Sequence, residues 1–206
     1  MSQKRVGLLG GVFNPPHLGH LKLAELALGE LGLDELWFVP AAQPPHKALP
    51  PGSPDGAARL RLLREAVEGL EGPFGIETLE LERGGTCYSV DTLEFMAQRD
   101  PGTAWILVLG SDQLAQFTTW KRWDRILELG SLAVAHRPGS PAGVPKGLEN
   151  RLKTTWSGAP GELVWLPSTE LELSSSGLRV GLAAGEKIEG LPIQVRAAIG
   201  RENLYR

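Results

Sequence analysis

Short apolar runs alternate with longer amphipathic stretches along this chain, and the alternation limits the folds that it can adopt. The runs that are typical of strands cover residues 6–9, 36–39, 76–81, 105–109, 132–135 and 163–166. Apolar side chains recur at helical spacing over residues 18–31, 60–70, 90–98, 120–129 and much of the chain after 174. Strands that alternate with helices favour right-handed crossovers and a doubly wound, mostly parallel sheet with helices on both faces. Ligands of such sheets bind beyond the carboxyl ends of the strands.

Composition restricts the class of protein further. The 206 residues are 42% hydrophobic and 22% charged, which suits a single α/β domain over residues 1–206 and excludes a fully disordered chain. The only cysteine, Cys87, excludes an intramolecular disulfide and a Cys-rich zinc site. A net charge of −3 gives no reason to expect nucleic acid or an anionic membrane as a partner. Because the apolar run at residues 6–13 lacks the features of a signal peptide, we expect a cytoplasmic protein.

The segment after the first predicted strand carries the strongest functional pattern. It reads Gly10-Gly11-Val12-Phe13-Asn14-Pro15-Pro16-His17-Leu18-Gly19-His20. Glycines let the backbone approach a ligand, and a helix N-terminus offers free N–H groups and positive potential. Two imidazoles three residues apart lie on one face of that helix. The segment therefore predicts a phosphate pocket.

Other interpretations of this segment remain open. A dinucleotide-binding fingerprint and a P-loop are not among them, because the segment lacks G-x-G-x-x-G and G-K-[ST]. A single histidine at a helix start is commonly a cap or a surface group. A zinc site on His17 and His20 would need His46 or His136 from distant loops, and H-E-x-x-H is absent.

Four further features have suitable chemistry, each with a plain structural alternative. Lys47, in the proline-rich loop 41–56, can meet an acceptor phosphate or be an ordinary solvated lysine. Asp112 can accept hydrogen bonds from ribose hydroxyls or cap a helix beside Ser111. Trp120 can stack on a flat ring or pack in the core. The hydroxyls and guanidinium of residues 174–179 form either a second anion site or a serine-rich cap with a surface arginine.

The His17-Leu18-Gly19-His20 segment resembles the H-x-G-H motif of the nucleotidyltransferase superfamily. Further segments resemble, in order, motifs of the bacterial nicotinate-mononucleotide adenylyltransferase family. They are Pro44-Pro45-His46-Lys47, Arg59-Leu60-Arg61, Cys87-Tyr88-Ser89-Val90-Asp91-Thr92-Leu93, Gly110-Ser111-Asp112, Trp120, Arg137-Pro138-Gly139, Ser174-Ser175-Ser176-Gly177-Leu178-Arg179 and Asn203-Leu204-Tyr205. The resemblance covers residues 5–205 and implies a Rossmann-like fold.

The same resemblance implies the reaction and the site. Adenylyl transfer from ATP to nicotinate mononucleotide would release pyrophosphate, with Mg²⁺ carried mainly by the ATP phosphates. His17 and His20 would be catalytic, and His20 would stabilise charge in the transition state. The residues implied to bind ATP are Gly11, Val12, Phe13, His17, His20, Gly110, Asp112, Ser175, Ser176 and Arg179. Those implied to bind the mononucleotide are His46, Lys47, Ser89, Trp120 and Lys121, with Ser89 and Lys121 acting through their backbone N–H groups.

This chain departs from the family pattern at several positions. Val12 stands where a hydroxyl residue is usual, so only its backbone can serve there, and Lys121 replaces an aromatic residue. Two alternatives stay open: transfer to nicotinamide mononucleotide or another phosphorylated acceptor, and a non-catalytic nucleotide-binding domain. An oxidoreductase is disfavoured by the missing G-x-G-x-x-G.

Overall fold

Residues Ala104–Gly110 form the strand β4, and all seven are buried. Such complete burial is typical of a central strand in a parallel sheet that is covered on both faces. A computed structural model of the chain describes residues 3–45, 48–136, 143–168, 173–186 and 188–206. In this part of the chain no helix is long and apolar enough to cross a membrane.

Within the described ranges, seven strands form one sheet. The other strands are β1 (Arg5–Gly11), β2 (Glu35–Pro40), β3 (Phe74–Ile76), β5 (Gly130–Ala135), β6 (Leu152–Lys153) and β7 (Leu163–Leu166). Their order is β3-β2-β1-β4-β5-β7-β6, and each neighbouring pair is parallel. The predicted parallel, doubly wound α/β fold is therefore confirmed.

Helices lie in connections between the strands and, after β7, in the C-terminal part of the chain. They are α1 (Leu18–Glu30), α2 (Gly56–Val67), α3 (Leu79–Arg83), α4 (Ser89–Arg99), α5 (Ser111–Leu114), α6 (Trp123–Leu129), α7 (Ser175–Ala183) and α8 (Ile193–Glu202), with 3₁₀ turns at Phe117–Thr119 and Glu149–Arg151. Most begin and end within a few residues of the predicted bounds.

Alternate side chains of β4 enter two separate cores. Ile106 and Val108 pack in the core that contains the buried faces of α1, α2 and α8. Trp105, Leu107 and Leu109 pack in the core beneath α4 and α6. This division follows from the two-residue period of a strand, and it produces the three-layer arrangement.

One predicted element is wrong, and the predicted start of another is misplaced. Residues 76–81 do not form a strand, because β3 ends at Ile76 and α3 begins at Leu79. The helix predicted from Trp120 begins only at Trp123, since Arg122 adopts a left-handed conformation with φ 49°. The second proline-rich loop, predicted at 137–147, lies partly outside the described residues.

The direction of strand order reverses at β1, which has β2 on one side and β4 on the other. The loops that leave the carboxyl ends of β1 and β4 therefore diverge from adjacent points. A crevice at this switch point is where open α/β sheets bind ligands.

Candidate active site

Two adjoining cavities lie beyond the carboxyl ends of β1 and β4. The first has a volume of about 280 Å³ and the second about 220 Å³. Gly10, Gly11 and Val12, which end β1 and begin the next loop, line both. The end of β1 thus forms a common wall between two spaces, each of which can hold one ligand.

All the residues predicted to bind ATP lie around the first cavity. They are Gly11, Val12, Phe13, His17, His20, Gly110, Asp112, Ser175, Ser176 and Arg179. They come from three places in the chain: the loop after β1 with the start of α1, the β4–α5 junction, and the start of α7. The fold thereby brings both predicted anion-binding segments to one space.

The two histidines pack against each other. Their rings stack with centroids 3.7 Å apart, and the backbone N–H of His17 donates to Nδ1 of His20 at 3.2 Å. The edge of the Phe13 ring also meets His20, at a centroid distance of 5.0 Å. Because Nδ1 of His20 accepts a hydrogen bond, the neutral ring carries its proton on Nε2. Nε2–H is therefore a donor whose ring orientation is set by α1 and Phe13.

Gly19 is required by the stacked arrangement. A Cβ at this position would lie 3.0 Å from Nδ1 of His17 and 3.5 Å from Cβ of Leu173. A contact at 3.0 Å would push the His17 ring, which is only 1% exposed and has little room to move. The glycine between the histidines therefore allows the close approach of the ring to the helix backbone.

The start of α7 is hydrogen-bonded to the loop after β1. Nη1 of Arg179 donates to the carbonyl of Asn14 at 2.6 Å, and the hydroxyl of Ser175 donates to the carbonyl of Pro15 at 3.2 Å. Nη2 of Arg179 reaches Oγ of Ser176 at 3.1 Å. These contacts hold a guanidinium and two hydroxyls at the edge of the first cavity, close to the N-terminus of a nine-residue helix.

Carboxylates are sparse in this cavity. Asp112, in the first turn of α5, lines it directly after β4. In the described ranges, no group of three or more His, Cys, Asp or Glu side chains converges as a metal site. The surroundings of the cavity are richer in imidazole, guanidinium and hydroxyl donors, which suit a polyphosphate.

The second cavity receives the predicted residues Ser89, Trp120 and Lys121. Trp120 is half-buried and packs on Phe117 with centroids 5.3 Å apart, so it belongs both to the edge of the core and to the cavity wall. Nζ of Lys121 lies 3.1 Å from a carboxylate oxygen of Asp91 and 4.2 Å from the Tyr88 ring centroid. The predicted residues His46 and Lys47 lie outside the described residues.

The sequence assigns no individual function to two buried charged residues near the site. Glu80 lines the second cavity, and its carboxylate accepts a hydrogen bond from the Thr92 hydroxyl at 2.6 Å. Burial raises the pKa of the Glu80 carboxyl, although the Thr92 hydrogen bond opposes this shift.

Arg59 is the second such residue and is 1% exposed. The spacing of Arg59, Leu62, Leu63 and Ala66 could have identified it, because these positions share one face of a helix. Its three hydrogen bonds all go to backbone carbonyls.

The fold and this arrangement of donors are those of a nucleotidyltransferase. Residues 8–180 match the model of the cytidylyltransferase-like family. A nicotinic acid mononucleotide adenylyltransferase of Plasmodium falciparum, solved in complex with NaAD, superposes with a TM-score of 0.79 over 98% of this chain and 97% of its own. At 16% sequence identity, that similarity establishes the fold.

Closer relatives define the family. The "probable nicotinate-nucleotide adenylyltransferase" of Bordetella petrii is 41% identical over 98% of this chain and 100% of its own length. The protein of the same name from Hydrogenovibrio crunogenus is 36% identical over 100% of this chain and 99% of its own. The chain belongs to the nicotinate-nucleotide adenylyltransferase family.

Proposed function

We propose that this protein transfers the adenylyl group of ATP to nicotinate mononucleotide, forming nicotinate adenine dinucleotide and pyrophosphate. The observation that carries the proposal is the common wall of Gly10, Gly11 and Val12 between a donor-rich cavity and a cavity with an aromatic side chain. Because the same three residues line both cavities, ligands bound in the two cavities would approach each other at the end of β1. The names of the full-length relatives support this choice of substrates.

ATP would occupy the first cavity. Ser175, Ser176 and Arg179 would bind its β- and γ-phosphates, and Gly110 with Asp112 would hold the ribose. The loop from Gly11 to Phe13 would place backbone groups along the phosphates, next to His17 and His20. The proposal is supported by the meeting of all these residues at one cavity.

Nicotinate mononucleotide would occupy the second cavity. The half-buried Trp120 would stack on the pyridine ring, and backbone N–H groups of Ser89 and Lys121 would receive its carboxylate. On the basis of the sequence, we assign the phosphate of this substrate to Lys47 and a further contact with the substrate to His46.

The reaction is a direct displacement. An oxygen of the mononucleotide 5′-phosphate attacks the α-phosphorus of ATP in line, and the bond from that phosphorus to the bridging oxygen breaks. Pyrophosphate leaves with the electron pair of that bond. The nucleophile is already an anion at neutral pH, so positioning and electrostatic stabilisation provide the catalysis. Nε2–H of His20, oriented through Nδ1, would donate to the oxygen of the α-phosphate on which charge develops.

We propose that Mg²⁺ enters with ATP and is bound mainly by its phosphates. Asp112 is the carboxylate that lines the first cavity in the described ranges, which fits a metal with few protein ligands. When bound, Mg²⁺ would neutralise charge on the leaving pyrophosphate. We further propose that residues 1–206 act as one nucleotidyltransferase domain, and that the reaction takes place in the cytoplasm, where ATP is abundant.

The test is a pyrophosphate-release assay with ATP and a panel of acceptors. Nicotinate mononucleotide, nicotinamide mononucleotide and pantetheine phosphate are compared at equal concentration, and the dinucleotide product is identified by mass. We expect the highest kcat/KM with nicotinate mononucleotide. Preference for another acceptor would refute the substrate assignment, and absence of pyrophosphate with every acceptor would refute the transferase.

A further inference from the structure

Arg59 donates hydrogen bonds to the loops that follow two different strands. Its Nη1 lies 2.7 Å from the carbonyl oxygen of Val12, in the loop after β1, and 2.9 Å from that of Ala41, directly after β2. Its Nη2 lies 3.1 Å from the carbonyl oxygen of Ala42. One buried guanidinium thus joins the segment that lines the first cavity to a segment that lines the second.

These hydrogen bonds determine how the peptide units face. In a trans peptide the C=O and the N–H of the same unit point in opposite directions. When the Val12 carbonyl points to Arg59, the N–H of Phe13 points away from it. In the described ranges, Arg59 lines neither cavity, whereas Val12 and Phe13 line the first. The donor side of this peptide therefore faces away from Arg59, and both residues that form the peptide line the space assigned to phosphate.

The backbone at this position needs such support. Phe13 has φ 49°, in the left-handed region that residues other than glycine rarely adopt. The Phe13 ring is 1% exposed and contacts both Phe38 and His20, at centroid distances of 5.8 Å and 5.0 Å. A change in the Val12–Phe13 peptide would therefore move the ring that packs on His20.

Arg59 also places a permanent positive charge behind the loop. Burial lowers the pKa of its guanidinium, but an arginine in a protein remains protonated. Its hydrogen-bond partners are neutral carbonyl groups, and the carboxylate of Asp55, at the start of the same helix, acts on this charge only through space. A buried cation at this point favours anionic ligands in an otherwise acidic chain.

We propose that Arg59 is a positioning residue for adenylyl transfer. It aligns the loop after β1 with the loop after β2 through the backbone carbonyls of Val12, Ala41 and Ala42. This inference rests on the proposed function. In-line displacement requires the attacking oxygen and the α-phosphorus to be within a few tenths of an ångström of the productive distance. Each cavity can still bind its own ligand when that alignment is lost. The expected defect therefore lies in kcat, and only weakly in binding.

The experiment compares Arg59→Met, Arg59→Lys and the control Arg61→Met. Arg61 is on the same helix but is half-exposed, and it pairs with Glu202. Thermal unfolding establishes that each variant is folded, calorimetry gives the Kd for ATP alone, and pyrophosphate release with nicotinate mononucleotide gives kcat and both KM values. We expect Arg59→Met to lower kcat roughly 10²-fold while the Kd and KM values change less than about fivefold. Arg59→Lys keeps the charge and some carbonyl contact, so its kcat should lie between that of Arg59→Met and that of the wild type.

Several outcomes separate this role from a purely structural one. A folded Arg59→Met variant with kcat within threefold of the wild type would overturn the inference, as would a defect carried entirely by weaker binding. If Arg59→Met does not fold, Arg59→Lys decides by the same criteria. A wild-type protein that forms no dinucleotide would instead refute the proposed function itself.

Discussion

The backbone N–H of His17 donates to Nδ1 of His20 at 3.2 Å, and the two rings stack 3.7 Å apart. His17 is the residue that precedes α1, and His20 is in its first turn. Nδ1 of His20 therefore accepts a hydrogen bond from a backbone N–H at the start of the helix. This hydrogen bond sets the direction in which Nε2 points. A structural contact of this kind fixes both the tautomer and the orientation of the side chain that we propose as the donor in catalysis.

This relationship predicts that one replacement of His20 affects folding and catalysis differently. The amide oxygen of His20→Asn can still accept from the His17 N–H, but its side chain is too short to replace Nε2–H. We expect it to fold normally and to lose roughly 10²- to 10³-fold in kcat, with little change in KM for ATP. Steady-state kinetics and thermal unfolding measure the two effects. A kcat within tenfold of the wild type would remove His20 from the chemical step.

Arg179 offers a test of the second anion-binding segment. Its guanidinium contacts the Asn14 carbonyl at 2.6 Å and Ser176 at 3.1 Å while lining the first cavity. We expect Arg179→Ala to raise KM for ATP roughly 10- to 100-fold, as the loss of a charge-assisted hydrogen bond implies. KM for the mononucleotide should stay within a few-fold. Arg196→Ala, an exposed change on α8, is the matched control, and an unchanged KM for ATP would contradict the assignment.

Replacement of Trp120 should weaken binding of the mononucleotide and not of ATP, which is the opposite of the effect expected for Arg179. Because its side chain lines only the second cavity in the described ranges, Trp120→Ala should raise KM for nicotinate mononucleotide about tenfold and leave KM for ATP nearly constant. Trp123→Phe is a suitable control, since Trp123 also packs near Phe117 but lines neither cavity there. Equal changes in both KM values would point to a general loss of structure.

Much of this site follows from the sequence because its residues stand directly after strands. Asp112 is far from Gly11 and His17 in the chain, yet the switch-point rule for parallel sheets brings the ends of β1 and β4 together. The sequence pattern also predicts the buried strand β4 and the apolar face of α1. These features depend on hydrophobic periodicity, which a single sequence displays.

Other features depend on local bonds that leave little periodic signal. Residues 76–81 alternate apolar and polar side chains, but the Glu77 carboxylate accepts from the N–H of Leu79 at 3.0 Å and α3 starts there. A helix of five residues is too short to show a period of 3.6. The sequence does not predict the positive φ of Arg122, because residues other than glycine rarely adopt that conformation. The contacts of Arg59 join loops that only the tertiary fold brings together.

The C-terminal tail supports a prediction about stability. Tyr205 is buried, and its hydroxyl has no hydrogen-bond partner in the part of the chain that the structure describes. Burial raises the pKa of this hydroxyl well above its usual value. Tyr205→Phe should therefore leave the free energy of unfolding unchanged or raise it by up to about 1 kcal/mol. Tyr205→Ala should lower it by about 3–5 kcal/mol through the cavity it creates. Urea unfolding measures both, and a large loss in the Phe variant would reveal an unseen partner.

Glu80 predicts a pH dependence of stability. Burial raises the pKa of its carboxyl in the folded protein, so between the unfolded value of about 4.3 and the folded value the native state binds the extra proton. The stability contributed by this group therefore falls as pH rises through that window.

Glu80→Gln keeps an acceptor for the Thr92 hydroxyl and cannot ionise. We expect its urea midpoint to exceed that of the wild type at pH 7, and the difference to vanish near pH 3.5. Glu82→Gln, an exposed change on the same helix, controls for the loss of a carboxylate. A difference between Glu80→Gln and the wild type that stays constant from pH 3.5 to 7 would mean that folding does not change the proton occupancy of Glu80 in this range, and it would refute the raised pKa.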